Sequence, residues 1–309
     1  MGGNRSRVTE FLLLGFQLSS ETEVLLFWVF SLLYTFSLLA NGTIFALICL
    51  DQRLHTPMYF FLSHLAIIDM SYASNNVPKM LAILVTHNRA ISFVSCVMQT
   101  FLYLNFAATE CLILVAMSYD RYVAICHPLH YTVIMSWTVC TVLATMCWLC
   151  GFFLPLIHVL LLLRLPFCGP REVNQLFCEL LSVLELACGD TWINEAVILA
   201  ASLLFLVGPL CLVLVSYIHI LLAILKIQTG EGRKKAFSTC SSHLCVVGFF
   251  FGIAMVIYMV PESTQKKERE KVLSLFYSLF NPLLNPLIYS LRNVHVKDAL
   301  CRVLQVRSR

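Results

Sequence analysis

An acid and a base lie side by side at Asp120 and Arg121, where a long apolar stretch of the sequence meets a polar loop. A carboxylate and a guanidinium can form a strong, charge-assisted hydrogen-bonded pair. At the edge of a membrane such a pair can hold together at rest and separate when a partner competes for the arginine. The pair predicts either a switch or a plain anchor for a helix end, and the surrounding elements decide between the two.

Two further carboxylates, Asp69 and Glu110, stand inside apolar stretches. Ionisable groups inside a membrane-spanning segment are costly and are usually functional. Two close carboxylates cannot both ionise at low cost, so either one of them holds a proton or a cation lies between them. The pair predicts a sodium site, and the alternative is two protonated side chains that make structural hydrogen bonds.

The sequence carries no recognisable catalytic set. It has no glycine-rich phosphate loop, no nucleophile elbow and no HExxH zinc motif. Basic residues cluster at the edges of the apolar stretches, as in Arg233-Lys234-Lys235, and not along a face suited to nucleic acid. We therefore expect neither an enzyme nor a nucleic-acid-binding protein.

The elements that position these residues follow from the low charge of the chain. Of 309 residues, 59% are hydrophobic and 12% are charged, against about a quarter charged in ordinary soluble domains. A helix satisfies its backbone amides within its own segment, as lipid requires, and about 20 residues cross the hydrocarbon. The pattern predicts an all-α membrane protein, a seven-transmembrane helix bundle whose spans lie in the low-charge runs Val24–Leu50, Leu54–Pro78, Ala90–Tyr119, Trp137–Leu163, Ala196–Leu225, Ala236–Pro261 and Val272–Leu291.

Cysteine and glycosylation signals orient this bundle better than its basic residues, because Lys and Arg divide almost evenly between the two sides. An outer amino terminus places four cysteines on the oxidising side, where disulfides form, and four cysteines allow three pairings. The sequon Asn4-Arg5-Ser6 lies in the same outer segment. We expect glycosylation at Asn4 and disulfides among Cys96, Cys168, Cys178 and Cys188.

Three regions follow along the chain: an outer amino-terminal segment over residues 1–23, a receptor-like membrane domain over 24–291 and a cytoplasmic tail over 292–309. Within the tail, Val294–Val306 has the pattern of a short amphipathic helix on the membrane surface. Cys301 there is a candidate for palmitoylation, and an idle thiol is the alternative.

A transporter, a channel and a ligand-driven switch are the candidate functions. A transporter predicts two similar halves with paired broken helices, and a channel predicts rings of like charge or a filter loop. The sequence shows seven unequal spans without a repeat, and its polar residues are scattered singly. We therefore favour the switch, with a ligand pocket in the outer half and a basic inner face for a cytosolic partner.

The predicted pocket is almost uncharged. No carboxylate stands at the pocket level of the third span, so an amine ligand lacks a counter-ion. Small, mostly apolar molecules are expected, with an occasional hydrogen bond from Tyr258 or Ser202. His158, near the outer end of the fourth span, is either a core hydrogen bonder or a ligand contact. The candidate ligand-binding residues are Tyr103, Leu104, Ala107, Ala108, Cys111, His158, Ser202, Phe205, Phe251, Met255, Tyr258 and Ser278.

Several longer motifs together resemble one family over essentially the whole chain. They are Pro57–Leu62, Met117–Cys126, Ser216-Tyr217, Lys235–Leu244 and Pro282–Asn293. The chain resembles the vertebrate olfactory receptors, rhodopsin-like (class A) G-protein-coupled receptors, within their tetrapod-type class II. Its beginning, with Thr-Glu-Phe-Leu-Leu-Leu-Gly-Phe, looks like the second family of that class.

The resemblance implies a receptor that binds odorants, activates a stimulatory olfactory G protein and raises cAMP, in the plasma membrane and in the cilia of olfactory sensory neurons. It implies the disulfides Cys96–Cys178 and Cys168–Cys188 and a sodium site at Asp69 and Glu110. Membrane lipid and trafficking chaperones are further expected partners, and no cofactor is expected. A non-olfactory receptor of the same fold is the alternative. The expected coupling and switch residues are Asp120, Arg121, Tyr122, Tyr217, Asn285, Pro286 and Tyr289.

Two positions depart from the family pattern. Ser118 replaces the commoner alanine before Tyr-Asp-Arg, which is a small change. The triplet Phe250-Phe251-Gly252 stands where the family usually has Phe-Tyr-Gly. Phe251 therefore lacks a hydroxyl at the toggle position of the sixth span, and we expect basal activity or ligand polarity to differ.

Overall fold

The computed structural model describes residues 8–16, 18–168, 171–226, 230–259 and 264–291, together with 296, 298–299 and 301–302. The predicted glycosylation site Asn4 and most of the predicted tail helix Val294–Val306 lie outside these residues. The side chains of Tyr258 and Tyr289 lie outside them as well.

Helices make up nearly all of the described chain. A π-helical stretch, Leu203–Val207, joins two of them into one continuous helix over Trp192–Leu225. The α-helices are α1 (Ser20–Leu50), α2 (Pro57–Thr86), α3 (Phe93–Cys126), α4 (Tyr131–Ile134), α5 (Trp137–Leu163), α6 (Leu180–Leu184), α7 (Trp192–Ser202), α8 (Gly208–Leu225), α9 (Gly230–Met259), α10 (Thr264–Leu279) and α11 (Asn281–Leu291).

These helices form the predicted seven-span bundle. Among the described residues, four helices are long and apolar enough to cross a membrane by length and composition alone: Ser20–Leu50, Phe93–Cys126, Trp137–Leu163 and Trp192–Leu225. Helix α2, helix α9 and the consecutive α10 and α11 supply the other three spans.

The bundle exposes apolar side chains and buries polar ones, as suits a lipid environment. Trp28 and Leu32 on α1 are 67% and 71% exposed, whereas Asn41 on the same helix is 1% exposed. The Nδ2 of Asn41 donates to the Pro282 carbonyl at 2.8 Å. Asn41 therefore faces the bundle, where a polar side chain can bond a neighbouring helix.

Two asparagines complete the backbone of a neighbouring helix at a proline. Proline has no N–H, so the carbonyl four residues before it loses its helical partner. Within α11 the proline is Pro286, and Asn41 donates to the carbonyl of Pro282. Within α5 it is Pro155, and the Nδ2 of Asn105 donates to the Gly151 carbonyl at 2.9 Å. Both prolines are therefore accommodated by a side chain from an adjacent span.

Gly151 also permits α5 to approach α3 closely. A Cβ at this position would overlap the Thr109 side chain and lie 3.1 Å from the Asn105 carbonyl oxygen. Helix α3 runs through the centre of the bundle, in contact with α2, α5, α8 and α9. The residues of α3 can therefore connect the outer and inner halves of the protein.

A small sheet covers the outer end of the bundle, which the all-α prediction did not include. Strand β1 (Glu10–Leu13) pairs antiparallel with β2 (Ala90–Ser92) and parallel with β3 (Glu172–Val173). Phe11 and Leu13 of β1 are fully buried in an outer apolar cluster that contains Cys96 and Cys178. The amino-terminal segment is thereby built into the outer cap.

Both predicted disulfides are present, Cys96–Cys178 and Cys168–Cys188. The first ties the outer turn of α3 to the loop that precedes α6, across 82 residues of sequence. The second joins Cys168, before α6, to Cys188, between α6 and α7, across 20 residues of sequence. The pairing implied by the family resemblance is confirmed.

The seventh span contains two Asn-Pro pairs, Asn281-Pro282 and Asn285-Pro286, and it is interrupted once, one residue before the first pair. Helix α10 ends at Leu279 and α11 begins at Asn281, with a turn at Phe280 between them. Pro286 lies inside α11 without ending it.

Candidate functional site

A cavity of about 120 Å³ lies in the outer half of the bundle. It is closed by seven elements of the described chain, from α3 to α10. The wall residues are Tyr103, Leu104, Ala107, Ala108, Cys111, Leu154, Pro155, His158, Leu180, Ile198, Ala201, Ser202, Phe205, Leu206, Phe250, Ala254, Ile257 and Tyr277.

Helix α3 supplies one face of this wall. Tyr103, Ala107 and Cys111 recur every four residues, and Leu104 and Ala108 follow the same spacing one position later. Residues at this spacing form a single stripe on an α-helix. Because two of the five are alanines, the stripe leaves space beside it for a ligand.

The π-helical stretch Leu203–Val207 shapes the opposite side. Such stretches are rare and often mark functional sites. Phe205 and Leu206 from this stretch line the cavity. The backbone carbonyl of Phe205 accepts a hydrogen bond from the Cys111 thiol at 3.1 Å. This contact connects the stretch to α3.

A polar layer lies beneath the cavity. Tyr277 belongs to the cavity wall, and its hydroxyl donates to the Oε2 of Glu110 at 3.4 Å. The Nδ2 of Asn281 donates to the Oε1 of the same carboxylate at 2.7 Å. Tyr277 therefore touches both the cavity and the carboxylate below it.

Asn285 bridges the two carboxylates of the membrane core. Its Nδ2 lies 2.9 Å and 3.1 Å from the two oxygens of Asp69 and 3.4 Å from the Oε1 of Glu110. Asp69 and Glu110 are each 1% exposed. The Oδ1 of Asn285 is buried without a hydrogen bond to any described residue. Three oxygen-bearing side chains thus converge at one point.

At the inner end of α3, Asp120 and Arg121 do not form an ion pair with each other. Among the described residues Asp120 accepts a hydrogen bond from the Tyr131 hydroxyl at 2.6 Å, and no ion pair joins it to Arg121. The Nε of Arg121 is buried without a hydrogen bond in the same part of the chain. The expected resting pair is therefore replaced by a bond from the loop helix α4, since adjacent residues on a helix do not face each other.

Two contacts at the inner surface, Tyr131–Asp120 and Arg302–Asp51, join separate segments of the chain. Burial, followed by the hydrogen bond to Asp120, raises the pKa of Tyr131, so its hydroxyl stays protonated and donating. The Nη2 of Arg302 binds the Oδ2 of Asp51 at 2.6 Å. That hydrogen bond is the largest cause of the lowered pKa of the Asp51 carboxyl, ahead of the backbone N–H of Arg53. The tail is thereby fastened, at Arg302, beside the end of α1.

Comparison with known proteins identifies the family. The family model described as "Olfactory receptor" matches residues 30–307. The chain belongs to the olfactory receptor family. Human olfactory receptor 2A2 is 70% identical over 99% of this chain and 96% of its own length. Human olfactory receptor 2A5 is 70% identical over 98% of both chains, and mouse olfactory receptor 2A7 is 60% identical over 99% of both.

Membership confirms several predictions made from the motifs. The receptor is a multi-pass protein of the plasma membrane and not an enzyme, and the resemblance to the second family agrees with the names of its relatives. Its helical bundle and two disulfides agree with that assignment.

The structure brings eight of the predicted ligand-binding residues of this receptor together around the cavity. They come from α3, α5 and the fifth span, each of which turns these residues toward the cavity. The eight are Tyr103, Leu104, Ala107, Ala108, Cys111, His158, Ser202 and Phe205.

Three predicted residues, Phe251, Met255 and Ser278, do not line the cavity. Their neighbours Phe250, Ala254 and Tyr277, one position earlier, do. An α-helix turns by about 100° per residue. The residue that follows a wall residue therefore points away from the cavity. Phe251 is packed beside Phe250 at 1% exposure, and the Ser278 hydroxyl accepts from the Nδ2 of Asn76 at 3.2 Å.

Tyr277 is the most informative residue that sequence reasoning missed. It lies next to Ser278 in a span where most residues are apolar, so periodicity does not distinguish the two residues. The proximity of Asn281, one turn later, was the available signal, because a tyrosine and an asparagine four residues apart share a helix face.

Of the predicted coupling residues, Asp120, Arg121, Tyr122 and Tyr217 lie toward the inner end of the receptor, whereas Asn285 belongs to the polar layer. The Tyr217 hydroxyl shares a hydrogen bond with the Nδ1 of His243. The Tyr122 hydroxyl lies 3.3 Å from the Nε2 of His127.

Proposed function

We propose that this receptor binds small, uncharged odorants in the outer cavity and, when occupied, activates a stimulatory olfactory G protein that raises cAMP. The observation that carries the proposal is Tyr277, whose side chain lines the cavity and bonds the buried carboxylate Glu110. A ligand that moves Tyr277 changes the contacts of the polar layer directly.

The chemistry of the wall supports neutral ligands. No Asp, Glu, Lys or Arg stands among the described residues of the wall. Glu110, the nearest carboxylate below, already accepts from Tyr277, Asn281 and Asn285. A charged ligand would lose its hydration without gaining a partner, which is costly in an apolar site.

The polar layer is a candidate sodium site. Asp69 and Glu110 supply carboxylate oxygens, and the unbonded Oδ1 of Asn285 is a third oxygen beside them. A sodium ion prefers oxygen ligands and would relieve the repulsion between two buried carboxylates. We propose that sodium binding and ligand binding act on this layer in opposite directions.

The inner end is the proposed output. The Arg121 guanidinium has an Nε without a hydrogen bond in the described chain. A G protein that inserts a hydrogen-bond acceptor here would find a donor already separated from Asp120. Tyr122, Pro286 and Tyr289 are proposed to move with it.

The remaining assignments of the receptor are proposals as well. They comprise glycosylation at Asn4, residence in the cilia of olfactory neurons, contact with membrane lipid and trafficking chaperones, and the division into an outer segment 1–23, a receptor domain 24–291 and an inner tail 292–309.

The test is an odorant panel with a cAMP reporter in cells that supply the stimulatory olfactory G protein. Arg121→Ala is expected to abolish the cAMP response and to leave surface protein in place, because the output group is removed while the cavity is intact. Arg53→Ala, which removes an exposed arginine of the first inner loop, is the matched control and should signal normally.

Other outcomes of this test identify the alternatives. A full response from Arg121→Ala would show that the inner arginine only anchors the helix. Silence toward odorants together with a response to another ligand class would favour a non-olfactory receptor. Uptake of a labelled substrate without G protein would favour a transporter.

A further inference from the structure

The polar groups of the cavity wall fall into two classes. The Tyr277 hydroxyl donates to Glu110, and the Cys111 thiol donates to the Phe205 carbonyl. His158 and Ser202 also line the cavity, but neither side chain makes a hydrogen bond to any residue that the structure describes.

An unbonded imidazole in such a place is unusual. His158 is 6% exposed as a whole, but its ring nitrogens are not fully enclosed by protein atoms, so they face accessible space at the cavity wall. Polar groups inside proteins usually have a hydrogen-bond partner. The missing partner of His158 is therefore expected inside the cavity.

Each of these two side chains lies beside a local irregularity of its helix. His158 follows Pro155 by three residues on α5, where the Gly151 carbonyl is satisfied by Asn105 of α3. Ser202 is the last residue of α7, directly before the π-helical stretch. Helices α5 and α7 are in contact, so both groups stand on neighbouring parts of the wall.

We propose that His158 and Ser202 form the polar end of the odorant site, and that the receptor takes neutral molecules with a carbonyl or hydroxyl group at that end and an apolar body beside Ala107, Ala108 and Ala254. The inference rests on the proposed function of the cavity. A carbonyl oxygen accepts from a serine hydroxyl and from an imidazole N–H, and a hydroxyl can also donate to the other ring nitrogen.

The experiment compares ligands that share a carbon skeleton and differ only in their oxygen. The probes are camphor, borneol and camphane, and menthone, menthol and menthane, applied to the full-length receptor with a cAMP readout. A hydrocarbon that does not activate is scored as a competitor of its ketone. Camphoric acid and bornylamine serve as charged counterparts.

The variants remove the polar end while the cavity keeps its shape. His158→Phe replaces the imidazole by an apolar ring, Ser202→Ala removes one hydroxyl, and His158→Asn restores a donor and an acceptor. Each is expected to retain surface expression. Ala254→Val is the control, because it narrows the same cavity without changing its hydrogen bonding.

Loss of one hydrogen bond of about 1 kcal/mol corresponds to about a fivefold change in potency. We expect His158→Phe and Ser202→Ala each to weaken the ketones and alcohols by about five- to tenfold and to leave the hydrocarbons within about twofold. His158→Asn should recover part of the loss. Ala254→Val should shift every member of a set alike.

Equal shifts of oxygenated and hydrocarbon ligands in His158→Phe and Ser202→Ala would overturn the inference while leaving the odorant receptor proposal intact. Activation by the acid or the amine, with no response to the ketones and alcohols, would overturn it in the same way. Silence toward all of these compounds and toward a broad odorant panel would instead contradict the proposed function, on which this inference rests.

Discussion

The outer cavity and the carboxylate layer below it treat polar groups in opposite ways. In the cavity, His158 and Ser202 are left without hydrogen bonds among the described residues. In the layer, Glu110 accepts from three neighbours and Asp69 accepts twice from Asn285. The unbonded groups of the cavity remain able to hydrogen-bond different ligands. In the layer, nearly all of the polar atoms are already hydrogen-bonded, and these bonds fix the packing of three spans.

This contrast predicts different consequences of substitution. Changes in the cavity should alter which molecules activate the receptor and leave its folding intact. Changes in the layer should alter folding or signalling for every ligand alike. Tyr277 belongs to both regions, so it tests whether the boundary is real.

The largest effect is expected from Asn285→Leu. This change removes the donor shared by two buried carboxylates, and each hydrogen bond to a charged group is typically worth about 1.5–3 kcal/mol. We expect surface expression, measured by antibody labelling of intact cells, to fall by tenfold or more, and the residual receptor to respond to no odorant.

Two controls accompany this variant. Ser278→Ala loses only the bond from Asn76 and should remain at the surface in near-normal amount. The double variant Asp69→Leu with Asn285→Leu removes a donor and its acceptor together, which is less costly than removing one of them. If the double variant expresses no better than Asn285→Leu, the layer is not held together by this bond.

The difference between the two regions also explains how far sequence reasoning reaches. Asp69 and Glu110 could be paired from sequence, because an acidic residue in an apolar span is rare and has few possible polar partners. The stripe on α3 could be read because alanine, tyrosine and cysteine follow helical spacing. In both cases a few residues of unusual type or spacing within an apolar span were sufficient for the prediction.

The side of α9 and of α10 that lines the cavity could not be predicted in the same way. Phe250-Phe251 and Tyr277-Ser278 each place two suitable residues side by side, so composition does not say which one points inward. The bond from Tyr131 to Asp120 and the strand Glu10–Leu13 depend on contacts between distant segments. Such contacts leave no local pattern in the chain.

A second, smaller effect is expected from Ala108→Leu. The new side chain extends into the cavity and occupies volume that a ligand would use. Bulky agonists should lose at least about tenfold in potency, whereas the smallest agonists lose little and surface expression is unchanged. Ala200→Leu, on an exposed position of α7, is the matched control. A uniform loss of response, with less receptor at the surface, would place Ala108 with the folding core instead.

Tyr277→Phe should separate the two functions of one residue. The ring that lines the cavity remains, and only the hydroxyl that donates to Glu110 is lost. Because a hydrogen bond to a charged group is worth about 1.5–3 kcal/mol, we expect basal and maximal cAMP to change by about fivefold or more. The rank order of odorants should stay the same. A changed rank order with an unchanged maximum would mean that the hydroxyl serves the ligand.

The smallest effect is expected from Phe251→Tyr, which restores the residue usual in this family. Phe251 is 1% exposed and packs beside Phe250, so the added hydroxyl enters an apolar environment between the cavity and the layer. It must find a partner there or destabilise the state that encloses it. We expect a shift of about two- to fivefold in basal cAMP or odorant potency, and Phe249→Tyr, at a 41% exposed position, should have none. An unchanged dose–response curve at equal surface expression would show that a polar group is tolerated between the cavity and the layer. The difference in hydrogen bonding between the two regions would then not extend to the residues that separate them.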